Sequence, residues 1–235
     1  MEMNRLTKPR FVAAYLLAPL LFFFAHTTER QLQGGVVLVG LGALLRLWAN
    51  GHVGHVKVNW TQSSRGDTKI GELVTAGPYA FVRHPLYLGS FLIGLGFGIV
   101  AGRFWLMAIA LGVMALIYHR KIVEEETTLS HEWGEAFERY RQAVPRYLPT
   151  WRPYSRARGS WDWKGIWASR EWKTTIWAAV LLVLLYVREE VFQEGETFFG
   201  HHLFKRTVLV GGVGILVLCD LMFELLRRRM KRVLG

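Results

Sequence analysis

The stretch GPYAFVRHPLYLG, residues 77–89, decides how this chain is read. An arginine, a histidine and a proline stand directly before an apolar run, so a charged turn leads into a helix that reads as membrane-embedded. Proline suits a first helical position, because the N–H it lacks has no intrahelical partner there. Pro85 therefore starts a helix and His84 caps it. That helix start presents free backbone N–H groups and the positive pole of its dipole, which together attract an anionic group. Arg83 adds a full positive charge and His84 a ring that donates or accepts, while Tyr79 and Tyr87 flank the spot with aromatic faces and hydroxyls. A snorkelling arginine beside a turn histidine is the plainer reading of the same residues.

The rest of the 235-residue chain supplies a membrane setting for this turn. With 51% apolar residues, ten tryptophans and a positive mean hydropathy, it is too apolar for an ordinary soluble domain of its length. The net charge of +11 fits the excess of Lys and Arg that membrane proteins carry on the cytoplasmic side, and no nucleic-acid-binding signature accompanies it. The single cysteine, Cys219, excludes an intrachain disulfide and reads as a small packing residue.

Six apolar segments, residues 11–25, 35–49, 86–102, 104–118, 172–187 and 207–223, predict an all-α polytopic bundle of about six transmembrane helices. The first follows Arg5, Lys8 and Arg10 and lacks a small-residue cleavage site, so it reads as a retained helix rather than a signal peptide. Lys57, Arg65, Lys69 and Arg83 lie between the second and third segments. Eleven Lys or Arg run from Arg120 to Lys173, and RRRMKR follows the sixth segment. The other loops are poor in positive charge or acidic, so both termini are expected in the cytoplasm.

Only AGR joins the third and fourth segments, which predicts a helical hairpin; Gly94, Gly98 and Gly102 give it a small-residue packing face. The fourth helix is expected to run past Tyr118 as a cytoplasmic extension, because HRKIVEEETTL holds neither Gly nor Pro. GEAFERYRQAV adds a turn or two before Pro145 stops it. Residues 1–150 then form a core, 151–171 an interfacial linker rich in Trp and Arg, and 172–235 a further helix pair with a basic tail.

The acidic run Glu124, Glu125, Glu126 is the second chemical feature. Successive helical residues point about 100 degrees apart, so only one or two of the three face inward. Lys121 and Glu125, four apart, share a face. Alone, the run reads as a solvated face. A cationic helix start and an acidic helix face on one side of one hairpin, however, suit a zwitterionic ligand. With aromatic rings for a flat base, S-adenosylmethionine is a natural candidate.

ELVTAGPYAFVRHPLYLG, followed by EETTLSHEWGEAFERYRQAVPRYLP, resembles the isoprenylcysteine carboxyl methyltransferase and phospholipid methyltransferase superfamily of integral membrane enzymes. The resemblance covers about residues 45–150. It implies S-adenosyl-L-methionine as cofactor, held by Leu73, Val74, Tyr79, His84, Pro85, Leu86 and Tyr87 with Glu125, and with Arg83 beside them. Glu125, Glu126 and His84 are the expected catalytic groups, and Lys121 takes the place of a substrate-contacting basic residue. The family commonly has arginine there, a histidine near Gly71, and tyrosine at Phe137. A lysine cannot grip a carboxylate in bidentate fashion.

The implied acceptor is a lipid or lipidated molecule, entering sideways from the membrane. Carboxylate methylation needs no general base, whereas a lipid amine must lose a proton, to a Glu of the pair or to His84. Alternatives are an NADPH-dependent membrane sterol-type reductase and a non-enzymatic lipid-binding scaffold. His52 and His55 make a weak metal pair, and no metal is expected. Arg46 and Asp220 are intramembrane charges without assignable partners.

Overall fold

The computed structural model describes residues 24–63, 73–163, 166 and 171–192, with isolated positions 211, 214, 218 and 222; for 54–63, 171 and 190–192 it describes the backbone alone. The described residues are helical and contain no strand. They form α1 (Glu29–Ser63), a short 3-10 turn (Gly77–Ala80), α2 (Pro85–Val100), α3 (Phe104–Ala143) and α4 (Glu171–Phe192). The chain divides into two compact units, Met1–Trp172 and Lys173–Gly235. The first holds α1 to α3. In the second, α4 buries Ala178, Val180 and Leu185. The apolar segment 207–223 and most of 11–25 lie outside the described residues, as does Asp220.

Glu29–Val53 of α1 and the apolar part of α3 are long and apolar enough to cross a membrane. Leu41 and Leu44 on α1, and Phe104, Ile109 and Leu116 on α3, are exposed. Apolar side chains displayed along such helices are what lipid requires, and the first unit reads as an all-helical membrane fold. α2 is equally apolar but has 16 residues, roughly 24 Å of helix, so it reaches only part of the way through the hydrocarbon.

Glycines set how closely these helices pack. A Cβ on Gly42 would lie 2.5 Å from the carbonyl oxygen of Gly89 and 2.8 Å from Ile93 Cγ1, and one on Gly96 would lie 2.7 Å from that of Gly35. Gly35 and Gly42 on α1 thus meet Gly96 and Gly89 on α2 backbone to backbone, two facing pairs each seven residues apart. On the other side of α2, Gly94 receives Met114 of α3, and Gly98 receives Met107. The hairpin turn is the expected Ala101–Arg103, with Gly102 at φ +64. The sequence pointed to the Gly94 and Gly98 face and missed the second one.

α3 runs beyond the apolar stretch as the sequence predicts, and bends at Gly134 (φ +46, ψ −122), a conformation that side chains other than glycine resist. Its inward positions past Tyr118 are Ile122, Glu126, Phe137 and Tyr140. Phe137, Tyr140 and Val144 form a small core joined by Leu73, Leu129, Trp133 and Tyr154.

The chain after α3 folds back over the loop that precedes α2. Arg83 N–H donates to Pro145 O (3.0 Å), Thr150 N–H to Phe81 O (2.9 Å) and Tyr154 N–H to Ala80 O (2.9 Å). Thr75 and Ala76 both donate to Arg158 O, and Asp162 N–H reaches Gly51 O of α1 at 2.7 Å. Tyr154, Arg158 and Asp162 fall in the stretch expected as a linker. They are hydrogen-bonded to the core as a strap.

Candidate functional site

Gly77 (φ +61) and Pro78 form the tight turn that carries the chain into Arg83, His84 and Pro85. α2 begins at Pro85, and the His84 ring makes no cap hydrogen bond. It turns instead across the fold to Glu126, placing its Nε2 3.0 Å from Oε1. Arg83 Nη1 donates to the same oxygen at 2.7 Å. Arg146, on the strap, closes the group, with Nε 3.1 Å from Oε1 and Nη2 2.5 Å from Oε2. Two segments more than forty residues apart therefore meet at one carboxylate.

Glu126 is 6% exposed, and burial alone would push its carboxyl up; hydrogen bonds from His84 and Arg146 and the charge of Arg83 outweigh that and hold it at about 2. Arg146 is pushed up, chiefly by its hydrogen bond to Glu126, and stays charged. Burial lowers Arg83 against the attraction of Glu126. An ionised Glu126 only accepts, so His84 Nε2 carries the proton. In the neutral ring, Nδ1 is then left with a lone pair. Nδ1 faces Glu125, 3.9 Å from Oε2.

The three glutamates thus have three environments. Glu126 is buried in the cluster. Glu124 is exposed and paired with Lys121 Nζ at 2.5 Å. The Glu125 side chain is half exposed, its Oε2 3.9 Å from His84 Nδ1. Lys121 thus pairs with the residue three along, while Glu125, on the face that it shares with Lys121, lies beside His84. Tyr87 stacks at a tilt near His84 (5.8 Å) and Tyr118 (5.1 Å), so aromatic rings run from the His84 turn to the last apolar residues of α3.

The other expected cofactor residues sit around this turn in different roles. Leu73 packs on the Phe137 core, and Val74 and Pro85 are buried. The carbonyl of Tyr79 accepts from Tyr140 Oη at 2.7 Å, and burial pushes the Tyr140 hydroxyl well above the usual range. The carbonyl of Leu86 accepts from Arg46 Nη1 at 3.0 Å. Arg46 also reaches Ser90 Oγ, which gives this intramembrane charge the partners that sequence alone did not. His52 lies against Trp161 with Nδ1 3.1 Å from Trp48 O, and the side chain of His55 lies outside the described residues.

Sequence reasoning missed Arg146 and the nearby pair of His119 Nδ1 with Tyr147 Oη (2.7 Å). The available signal was chemical. A carboxylate on the inward face of a helix needs a cation, and AVPRYLP offers one directly after the helix stop.

Comparison with known proteins matches this region. A family model for phospholipid methyltransferases covers residues 30–136. The chain is 34% identical over 109 residues to a protein-S-isoprenylcysteine O-methyltransferase of Schizosaccharomyces pombe, covering 46% of this chain and 45% of that one. It is 30% identical over 145 residues to the nickel-cobalt-cadmium resistance protein NccN of Alcaligenes xylosoxydans xylosoxydans, covering 60% and 62%. Against the cobalt-zinc-cadmium resistance protein CzcN of Cupriavidus metallidurans it is 30% identical over 159 residues, or 66% of each. The chain therefore spans about half to two thirds of the length of these relatives. No solved structure matches. The residues matched by the family model include nearly all of α1, the RHP turn, α2 and the glutamate run, and over them the chain is similar to phospholipid methyltransferases.

Proposed function

We propose that this chain is an S-adenosylmethionine-dependent membrane methyltransferase acting on a lipid-like acceptor, with a prenylcysteine-type carboxylate favoured over a lipid amine. The observation that carries the reading is the half-exposed Glu125 carboxylate beside His84 Nδ1, at the start of α2 and one step from the aromatic rings of Tyr87 and Tyr118. The relatives named as isoprenylcysteine O-methyltransferases support the same acceptor class.

The residues present fit the cofactor. Glu125 is bound by neither Lys nor Arg among the described residues, so its charge remains available to an ammonium or sulfonium. At the α2 start Pro85 has no N–H and those of Tyr87 and Leu88 donate to His84 O, which leaves the Leu86 N–H and the positive pole of the helix for a carboxylate. When bound, S-adenosylmethionine supplies a methyl group already activated by its sulfonium charge. The protein then has to orient the reactants and exclude water.

Glu126 acts as a positioning residue in this scheme, fixing Arg83, His84 and Arg146 at one point. Tyr87 and Tyr118 flank the acceptor path from the membrane, and Lys121, one turn before Glu125 on the same helix, meets the acceptor carboxylate. Where the acceptor is an amine, His84 Nδ1 takes the proton, because Nε2 is committed to Glu126. The excess of Lys and Arg over residues 120–173 favours the cytoplasmic side, at the inner leaflet, for this site.

The test is radiolabelled methyl transfer into prenylcysteine and, separately, phosphatidylethanolamine, together with calorimetric binding of S-adenosylhomocysteine. Labelled methyl ester is expected, and Glu125→Gln is expected to abolish binding without changing the melting temperature in detergent. Stabilisation by NADPH and not by S-adenosylhomocysteine would instead mark a reductase; binding of neither would leave a scaffold.

A further inference from the structure

The cytoplasmic part of α3 has two flanks. Around the helix, Glu125 lies about 100 degrees to one side of the inward residue Glu126, and Thr127 about 100 degrees to the other. Val123, Ser130 and His131 fall on the Thr127 side. There, the bend at Gly134 turns the rest of α3 back, and a cleft of about 480 Å³ opens between the two arms. Thr127, Ser130, His131, Arg141, Arg146 and Glu126 line it. Its volume lies in the range of small-molecule sites, roughly 300–1,000 Å³. The methyl-donor site proposed above uses the Glu125 flank and leaves this cleft unexplained.

The polar groups of the cleft are donors in excess. Arg146 spends Nε and Nη2 on Glu126 and lies beside Tyr147, yet a guanidinium has five N–H groups, so it keeps donor capacity for a further acceptor. Arg141 is held by Glu138 at 3.0 Å, with both side chains more than 40% exposed. Such a pair exchanges readily for a better acceptor. Ser130 Oγ and the His131 ring have no partner among the described residues, whereas Thr127 Oγ1 donates to Val123 O. The one lining carboxylate, Glu126, is already opposed by Arg83 as well as by Arg146. Two guanidinium groups, a hydroxyl and an imidazole around a site of net positive charge match the oxygens of a phosphate.

We propose that this cleft is a second ligand site, separate from the methyl-donor site, that binds a small phosphate-bearing anion. Depth along α3 favours a soluble source over a lipid headgroup. Thr127 is nine residues beyond Tyr118, about 13 Å of helix, and the headgroup layer is only about 5–8 Å thick. Because Arg146 touches both the cleft and Glu126, an occupant there bears on the same carboxylate that orients His84.

The test uses the full chain in phosphatidylcholine nanodiscs, titrated calorimetrically with inorganic phosphate and with pyrophosphate. Saturable binding is expected, weakened at least about tenfold in Arg141→Ala. Arg139→Ala removes an equal charge two residues away, from a side chain paired with Glu135, and is expected to bind like the parent. Absence of saturation, or equal weakening in Arg139→Ala, overturns the site. A parallel set with phosphatidic acid in the disc separates the sources. An unchanged phosphate titration assigns the cleft to a soluble anion; a titration abolished by the lipid assigns it to a phosphate headgroup. Glu125→Gln is expected to lose S-adenosylhomocysteine and keep phosphate, so the two site assignments fail independently.

Discussion

The membrane half of the first unit and its polar head are held together by opposite means. Between α1 and α2, Gly35, Gly42, Gly89 and Gly96 bring backbone against backbone with no side chain between them. In the head, one buried carboxylate gathers Arg83, His84 and Arg146, and the strap adds backbone hydrogen bonds around it. The difference follows from the solvent. Lipid gives no hydrophobic reward for joining two apolar helices, so close packing has to supply the attraction. At the water-facing end, charge can be buried provided that every charge is matched.

The sharpest way to break the comparison is in the head. Glu126→Ala leaves the buried Arg83 guanidinium and the partly exposed Arg146 without their counter-charge, and breaking a buried pair such as Arg83 with Glu126 costs about 3–5 kcal/mol. Thermal unfolding in detergent is expected to show early loss of the polar head, read as protease cleavage in the strap, before loss of helical signal. Simultaneous loss of both signals would mean that the two halves are not separately held. The same group carries a pH signature. Its carboxyl lies near 4.5 when unfolded and is held at about 2 when folded. Its stabilising effect is therefore complete above about 4.5 and declines as the pH falls toward 2. Urea midpoints between pH 7 and 3 are expected to fall on acidification in the parent, and to fall less steeply in Glu126→Gln.

The matching break in the membrane half is Gly42→Leu, which places a side chain where even a Cβ would sit 2.5 Å from the Gly89 carbonyl. Overpacking of this kind costs about 1–3 kcal/mol. Gly40→Leu is the control, because among the described residues no atom outside its own helix lies within 4 Å of a Cβ at that position. Gly42→Leu is expected to lower the melting temperature while the head remains protease-resistant, and Gly40→Leu is expected to leave both unchanged. Equal effects would mean that the glycines serve something other than close approach.

These two halves were also unequally legible. Pro85 announced the start of α2 because a proline ring restricts where a helix can begin, and α3 announced its length by lacking breakers. Gly94 and Gly98 were visible as a four-residue spacing. Gly35 and Gly42 were not, because a seven-residue pair has meaning only once its partner pair is known. In the head, EEE on a helix required that at most two glutamates face inward, but whether Glu125 or Glu126 does so depends on the roll of α3 against the RHP turn, a tertiary fact. Arg83 read as a free cation for a ligand and lies 2.7 Å from Glu126. The strap was hardest to see, since its backbone hydrogen bonds carry no side-chain pattern, and its tryptophans and arginines resemble an interfacial linker.

A smaller effect probes how the head is joined to the RHP loop. Tyr140→Phe removes the hydrogen bond to the Tyr79 carbonyl and leaves the ring in the Phe137 core. The net cost of such a bond is about 0.5–1.5 kcal/mol. Hydrogen exchange at residues 77–84 is expected to rise with little change in the rest of α3. A uniform rise along α3 would mean that the hydroxyl serves the helix as a whole.

The smallest expected effect falls at Lys121, where stability and function separate. Its pair with Glu124 is exposed on both sides, and exposed pairs contribute no more than about 1 kcal/mol. Lys121→Gln is accordingly expected to melt within about a degree of the parent, unlike every substitution in the buried cluster one turn further along the helix. If Lys121 meets an acceptor carboxylate, the same variant raises the KM for a prenylcysteine acceptor and leaves S-adenosylhomocysteine affinity unchanged. Lys121→Arg is then expected to restore or lower that KM, since a guanidinium can grip a carboxylate with two hydrogen bonds where an ammonium cannot. A KM unaffected by either substitution would return Lys121 to the solvated face, and with it the preference for a carboxylate over an amine.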